Sequence, residues 1–175
     1  MHNWLKLKPS LALVCAVLLT GCAGVGSPNN ADEFRKSTQT APAMFGKTKT
    51  FEVSRSYNDV SDTLRKKSDE CLNVAINWSN SNGNSGLVTY KPTFRASSTR
   101  AELHIQRKSE GGRHIVIGEP ENGSYRVVLD ATPLSRNRTR IDLYIASAID
   151  DKLLVTTLTH WVNGDNLGCP DLTQR

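Results

Sequence analysis

The chain reads as an α+β domain, and three observations lead to that class. Short runs of alternating apolar and polar residues, separated by turn clusters, fill the stretch from Leu87 to Ala148. Two segments, at about 56–76 and 150–163, switch to the 3.6-residue period of amphipathic helices. One more short alternation, "KTFEVSRS" at 49–56, precedes the first of them. The expected order is strand, helix, an antiparallel meander of four to five strands, helix, with the two helices on one face of the sheet.

Each element has its own signal. In "KTFEVSRS", Phe51 and Val53 alternate with polar residues and mark a strand. The helix that follows places Val60, Leu64, Cys71, Val74 and Ala75 near one stripe and Arg65, Lys66, Asp69 and Glu70 outside it, with Ser56 or Asn58 as the cap. "NWSNSNGNSG" at 77–86 is a polar, glycine-containing loop. The meander then runs through "LVTYKPTF", "RAELHIQR", "RHIVIG", "SYRVVLDA" and "TRIDLYIASA". Alternation is clearest at Ile141, Leu143 and Ile145 and, one strand earlier, at Tyr125, Val127 and Leu129, so one sheet face is buried. Pro92 has no amide hydrogen for a ladder, which puts its strand at an edge or a bulge. In "DDKLLVTTLTHWVNG", Asp150 or Asp151 caps a helix whose apolar stripe is Leu154, Leu158, Trp161 and Val162, and Gly164 ends it.

The amino-terminal part is different in kind. Lys6 and Lys8 precede an apolar run, Leu11 to Leu19, that is about half the roughly 20 residues needed to span a bilayer. That is the layout of an export signal. The run ends in Leu19-Thr20-Gly21-Cys22, which resembles the lipobox of bacterial lipoproteins. The resemblance covers the first 22 residues only. It implies that residues 1–21 are cleaved off as a signal peptide, that Cys22 is lipidated, and that the protein is anchored to a membrane of the cell envelope. Ala23 in place of Asp resembles the signal for the outer membrane, with the domain facing the periplasm. Two or more acyl chains hold a protein stably where one holds it only reversibly.

Residues 22–47 are rich in Gly, Ser, Pro, Asn, Thr and Ala and show no sustained period of 2 or 3.6. They read as a lipidated flexible tether with a root-mean-square reach of roughly 25–30 Å. The alternative is a short docking segment formed by Phe34, Met44 and Phe45. Residues 48–175 are then a single α+β domain, near the commonest domain size. Its element order resembles the helix-grip and TATA-box-binding-protein-like arrangements of some envelope lipoproteins, which carries no site residues over.

With Cys15 lost in the signal and Cys22 taken by lipid, Cys71 and Cys169 remain as a pair in an oxidising compartment. They are expected to form a disulfide, closing a loop for which the chain-entropy model gives about 4–5 kcal/mol. It would bring the tail back to the first helix. Removal of Lys6 and Lys8 lowers the formal charge from +5 to +3, a mild excess that does not point to nucleic acid.

No catalytic signature emerges: the chain holds no G-x-S-x-G elbow, H-E-x-x-H pair, phosphate-binding loop or dinucleotide glycine pattern. His104 and His114 face each other across a possible hairpin, but two imidazoles lack the further ligands a zinc site needs, and both sit on the polar side of the alternation. His160 is placed to oppose a helix dipole. Arg100, Arg107, Lys108, Arg113, Arg126, Arg136, Arg138 and Arg140 concentrate in the meander. Of these, Arg107, Arg113, Arg126 and Arg140 form a phosphate-binding stripe if they share a face, whereas interleaved acids favour cross-strand charge pairs.

These readings lead to the expectation of a non-enzymatic envelope lipoprotein, without metal or cofactor, that acts as an accessory or assembly factor by binding another envelope protein. The competing expectation is a module that binds a lipid or other apolar ligand in a pocket lined by Val127, Leu143, Leu158 and Trp161.

Overall fold

The computed structural model describes residues 27–40, 46–79, 81, 83–111, 119–147 and 149–173. The signal segment, Cys22, Met44, Phe45 and the run "RHIVIG" with Arg113 and His114 lie outside the described residues.

The fold is α+β: the described residues form one open antiparallel sheet of six strands and three helices. In chain order the elements are α1 (Ala31–Thr40), β1 (Lys47–Val53), α2 (Tyr57–Cys71), β2 (Val74–Ser79), β3 (Ser85–Ala96), β4 (Ala101–Glu110), β5 (Ser124–Ser135), β6 (Arg138–Ile145) and α3 (Lys152–Asn163). The spatial order is β1-β6-β5-β4-β3-β2, so β2 to β6 form an uninterrupted meander and β1 closes the far edge beside β6. Helix α2 carries the chain from one edge to the other. Its 15 residues span about 22 Å at 1.5 Å per residue, close to the roughly 24 Å width of six strands.

One face of the sheet carries the main core. Val53, Ala101, Leu103, Ile105, Val127, Leu129, Ala131, Ile141, Leu143 and Ile145 meet Val60 and Leu64 of α2 and Leu154, Leu158, Trp161 and Val162 of α3. The two expected helices therefore share this face. Their caps follow the sequence in part. The Ser56 side chain accepts from the Asp59 amide at 3.2 Å. Gly164 closes α3 in the left-handed region, φ +89°, its amide donating to the Trp161 carbonyl at 3.0 Å. The Arg55 guanidinium adds bonds to the carbonyls of Trp161 and Val162, at 2.9 and 3.2 Å. Asp151 precedes α3 but makes no side-chain cap. Its carboxylate instead takes the Arg126 Nε–H at 2.8 Å and the Ser147 amide at 2.9 Å.

Three expectations need correction. The first helix stops at Cys71, and Val74–Ser79, read as the helix end and a polar loop, is strand β2. Val74, Ile76 and Trp78 alternate with exposed Ala75, Asn77 and Ser79, and an apolar run this short fits either period. The second correction concerns residues 31–40, read as part of a tether running over 22–47. They form α1, which packs on the opposite face of the sheet with Ala31, Phe34 and Thr38 buried. The third follows from the second: the described residues hold three helices where two were expected, and both sheet faces are covered.

Pro92 behaves as its chemistry requires. It pairs with Ile105 of β4, beyond Tyr90, where the pairing of β3 with β2 ends, so that part of β3 is an edge. No helix among the described residues is long and apolar enough to cross a membrane.

Candidate functional site

The sites expected from sequence resolve differently. Cys71 and Cys169 form a disulfide, with Cα atoms 5.0 Å apart. It ties the tail after α3 to the end of α2. Trp161 is fully buried beside this junction and its Nε1–H donates to the Leu167 carbonyl at 3.1 Å. Val127, Leu143, Leu158 and Trp161, the expected pocket lining, are each 0–1% exposed and belong to one packed core. Among the described residues, these four side chains pack against one another and their core neighbours.

Among the described residues, Arg107, Arg126 and Arg140 of the expected stripe each take a different partner. Arg126 is the extra residue where the β4–β5 register shifts, since Ile105 pairs with Val127 and Gln106 with Tyr125. A bulge re-aims the bulged side chain, and here Arg126 turns to Asp151 at the start of α3. Arg107 lies over the Tyr90 ring, 6.0 Å from its centroid, and Arg140 pairs with Asp142 at 2.9 Å. Lys108 meets Glu110 at 3.3 Å, Arg100 pairs with Glu102, and Arg138 with Glu52. Charge pairing, as the interleaved acids suggested, accounts for Arg100, Lys108, Arg126, Arg138 and Arg140, whereas Arg107 lies against an aromatic ring.

The strongest constellation lies beneath α1 and contains Phe34, of the alternative docking segment, and His104. The helix starts on a capping box: the Glu33 amide donates to Asn30 Oδ1 at 2.9 Å, and the Glu33 carboxylate accepts from the Asn29 amide at 2.8 Å. Its sheet-facing stripe is Ala31, Phe34, Arg35 and Thr38, spaced i, i+3, i+4, i+7. Phe34 stacks on Tyr125 at 5.7 Å between ring centroids and packs with Val128 and Tyr144. Arg35 grips Asp130 of β5 with two bonds, Nε to Oδ2 at 2.9 Å and Nη2 to Oδ1 at 2.7 Å. Its third nitrogen reaches Asp32 at 2.6 Å, Glu102 of β4 lies 3.4 Å away, and the guanidinium sits 5.9 Å from the Tyr144 ring centroid.

This is a partly buried ionic network with a fixed fork geometry. Burial by itself lowers the Arg35 pKa, but the bonds and charges of Asp130 and Asp32 outweigh it and hold the value raised. His104 of β4 lies in the same cluster, 8% exposed, with Nε2 3.2 Å from Glu102 Oε2. Burial first, then the Arg35 and Arg95 charges, push its pKa down to about 4. The ring is neutral at physiological pH, and its contact with Glu102 is a hydrogen bond from a neutral imidazole. Burial also raises the phenols of Tyr125 and Tyr144.

Chemically, the cluster binds a helix. Its carboxylates are engaged by arginines. Among the described residues no group of three or more His, Cys, Asp and Glu is arranged to hold a metal ion. The exposed His160 donates its Nδ1–H to the Asp165 carboxylate at 2.7 Å, one residue past Gly164. The signal for α1 was present in "NNADE", a capping box, but a stripe containing Arg and Thr does not score as apolar periodicity. No protein-family model, curated protein or solved structure matches the chain.

Proposed function

We propose that the protein is a lipid-anchored component of a bacterial envelope, held at the outer membrane by an acylated Cys22, whose α+β domain works by binding another envelope protein rather than by catalysis. The observation that carries this reading is the Leu19-Thr20-Gly21-Cys22 sequence behind the short apolar run Leu11–Leu19. The Cys71–Cys169 disulfide supports it, because such bonds persist in oxidising compartments outside the cytosol. The close-packed interior at Val127, Leu143, Leu158 and Trp161 favours a protein partner over an apolar ligand held inside the domain.

The helix α1 alters the expected geometry of the anchor. It begins nine residues after Cys22, a length with a root-mean-square reach of roughly 15–18 Å as a flexible chain. In this arrangement the domain sits close to the bilayer, and its partner is a membrane protein or something held near the membrane.

The test is a Cys22→Ser variant followed by fractionation and metabolic labelling with a fatty acid. The expected result is loss of label, retention of the precursor and release or mislocalisation of the domain. Unchanged, detergent-requiring membrane association of the variant overturns the anchor. For the partner, a photo-crosslinking residue at exposed Ile149 or Leu153 is expected to capture one envelope protein reproducibly in living cells. Consistent absence of any adduct from a panel of such positions overturns the binding role.

A further inference from the structure

Helix α1 is attached unlike any other element. Ten residues are too few to persist as a helix in water, so α1 is helical because it is docked. The dock consists of Phe34 in its slot of Tyr125, Val128 and Tyr144, and Arg35 on Asp130, with Ala31 and Thr38 filling in. The strand that follows has an attachment of its own. Gly46, at φ +99°, lies so close to the Ile145 carbonyl that a Cβ would sit 1.7 Å from its oxygen, and β1 is in full register with β6 from Lys47↔Ile145 to Val53↔Thr139.

We propose that α1 is a releasable strap: it leaves the second face of the sheet as a unit, melting as it goes, while the six strands, α2 and α3 stay folded. Release uncovers the aromatic slot beside the carboxylates of Asp130 and Glu102. That surface fits a partner helix carrying an aromatic side chain next to an arginine, as Phe34 and Arg35 stand in α1. Resting on the Cys22 anchor proposed above, release also lengthens the chain between lipid and sheet from nine residues to 25. The maximum span then rises from about 30 Å to about 85 Å. Docked, the domain is held near the membrane with its slot filled; released, it reaches outward with the slot open.

Native-state amide hydrogen exchange on the full chain in detergent tests the strap. The expected result is that amides of residues 31–40 exchange at least about tenfold faster than those of Leu129 and Leu143, through an opening that leaves the sheet protected. Phe34→Ala is expected to speed α1 exchange by about 100-fold with β5 and β6 unchanged. Exchange of α1 and the β5–β6 amides at one common rate, or acceleration of both to the same extent by Phe34→Ala, overturns the proposal. The wild-type comparison decides the matter even if the variant does not fold. Because the readout needs no lipid, failure of the Cys22 anchor and failure of the strap are separately visible.

Discussion

The two faces of the sheet are held by different physics. On the first, α2 and α3 press Leu64, Leu154, Leu158 and Trp161 onto aliphatic side chains from β1 and β4 to β6, and a disulfide links the end of α2 to the tail. On the second, one short helix is held by one phenylalanine and an arginine on two carboxylates. Hydrophobic burial scales with area and is indifferent to direction, so the first face is a cooperative unit. The second depends on a few directed contacts whose loss affects α1 before anything else. A domain built this way has a rigid half and a half that can be let go.

The contrast can be broken or sharpened by measurement, beginning with the largest effect. Removing the disulfide with Cys71→Ser and Cys169→Ser together should lower unfolding stability by about 4–5 kcal/mol, read in chemical denaturation. A change below about 1 kcal/mol would mean the first face does not need its closing link. Trp161→Ala should cost about 3–5 kcal/mol, because a fully buried ring and its bond to the Leu167 carbonyl are lost together.

Next comes the pH dependence of the second face. His104 is held near 4 in the folded protein against 6.5 when unfolded. The folded state thus binds fewer protons, and the neutral ring's contribution is fully present above pH 6.5. It is lost as the pH falls from 6.5 through about 4, to a total of roughly 3 kcal/mol. Burial sets this window first; Arg35 of α1, Arg95 of β3 and Arg100 before β4 lower the value further, and Asp130 of β5 opposes them. His104→Gln should flatten the dependence between these limits, and an unchanged acid limb would show that other groups govern it. The smallest effect is the most informative. Phe34→Ala should shift the global denaturation midpoint by the equivalent of less than about 1 kcal/mol, although truncation of a buried Phe in a cooperative core costs about 3–5 kcal/mol. A loss of that full size would mean the two faces unfold as one.

The legibility of the chain follows the same division. Ile141, Leu143 and Ile145, and the stripe Leu154, Leu158, Trp161 and Val162, could be read from sequence because apolar identity and spacing agree. The pairing of Cys71 with Cys169 was legible by elimination among four cysteines. Strand β2 was misread because six residues next to a helix end satisfy both periods. The Arg35, Asp130, Glu102 and His104 cluster was invisible. Its members come from α1, β4 and β5, and nothing local marks Arg35 as a core contact.

By itself, the sequence determined the α+β class, the first face and its helices, and the disulfide, because each rests on a periodic or countable pattern along the chain. Only the tertiary structure decided that Ala31–Thr40 pack on the second face as α1, and that Arg126 turns away from its strand to Asp151. It alone also placed a neutral histidine among three arginines. The physical reason is that charge pairs and a single aromatic contact acquire their strength from partners distant in sequence. Their energy exists only once the sheet has brought those partners to one place.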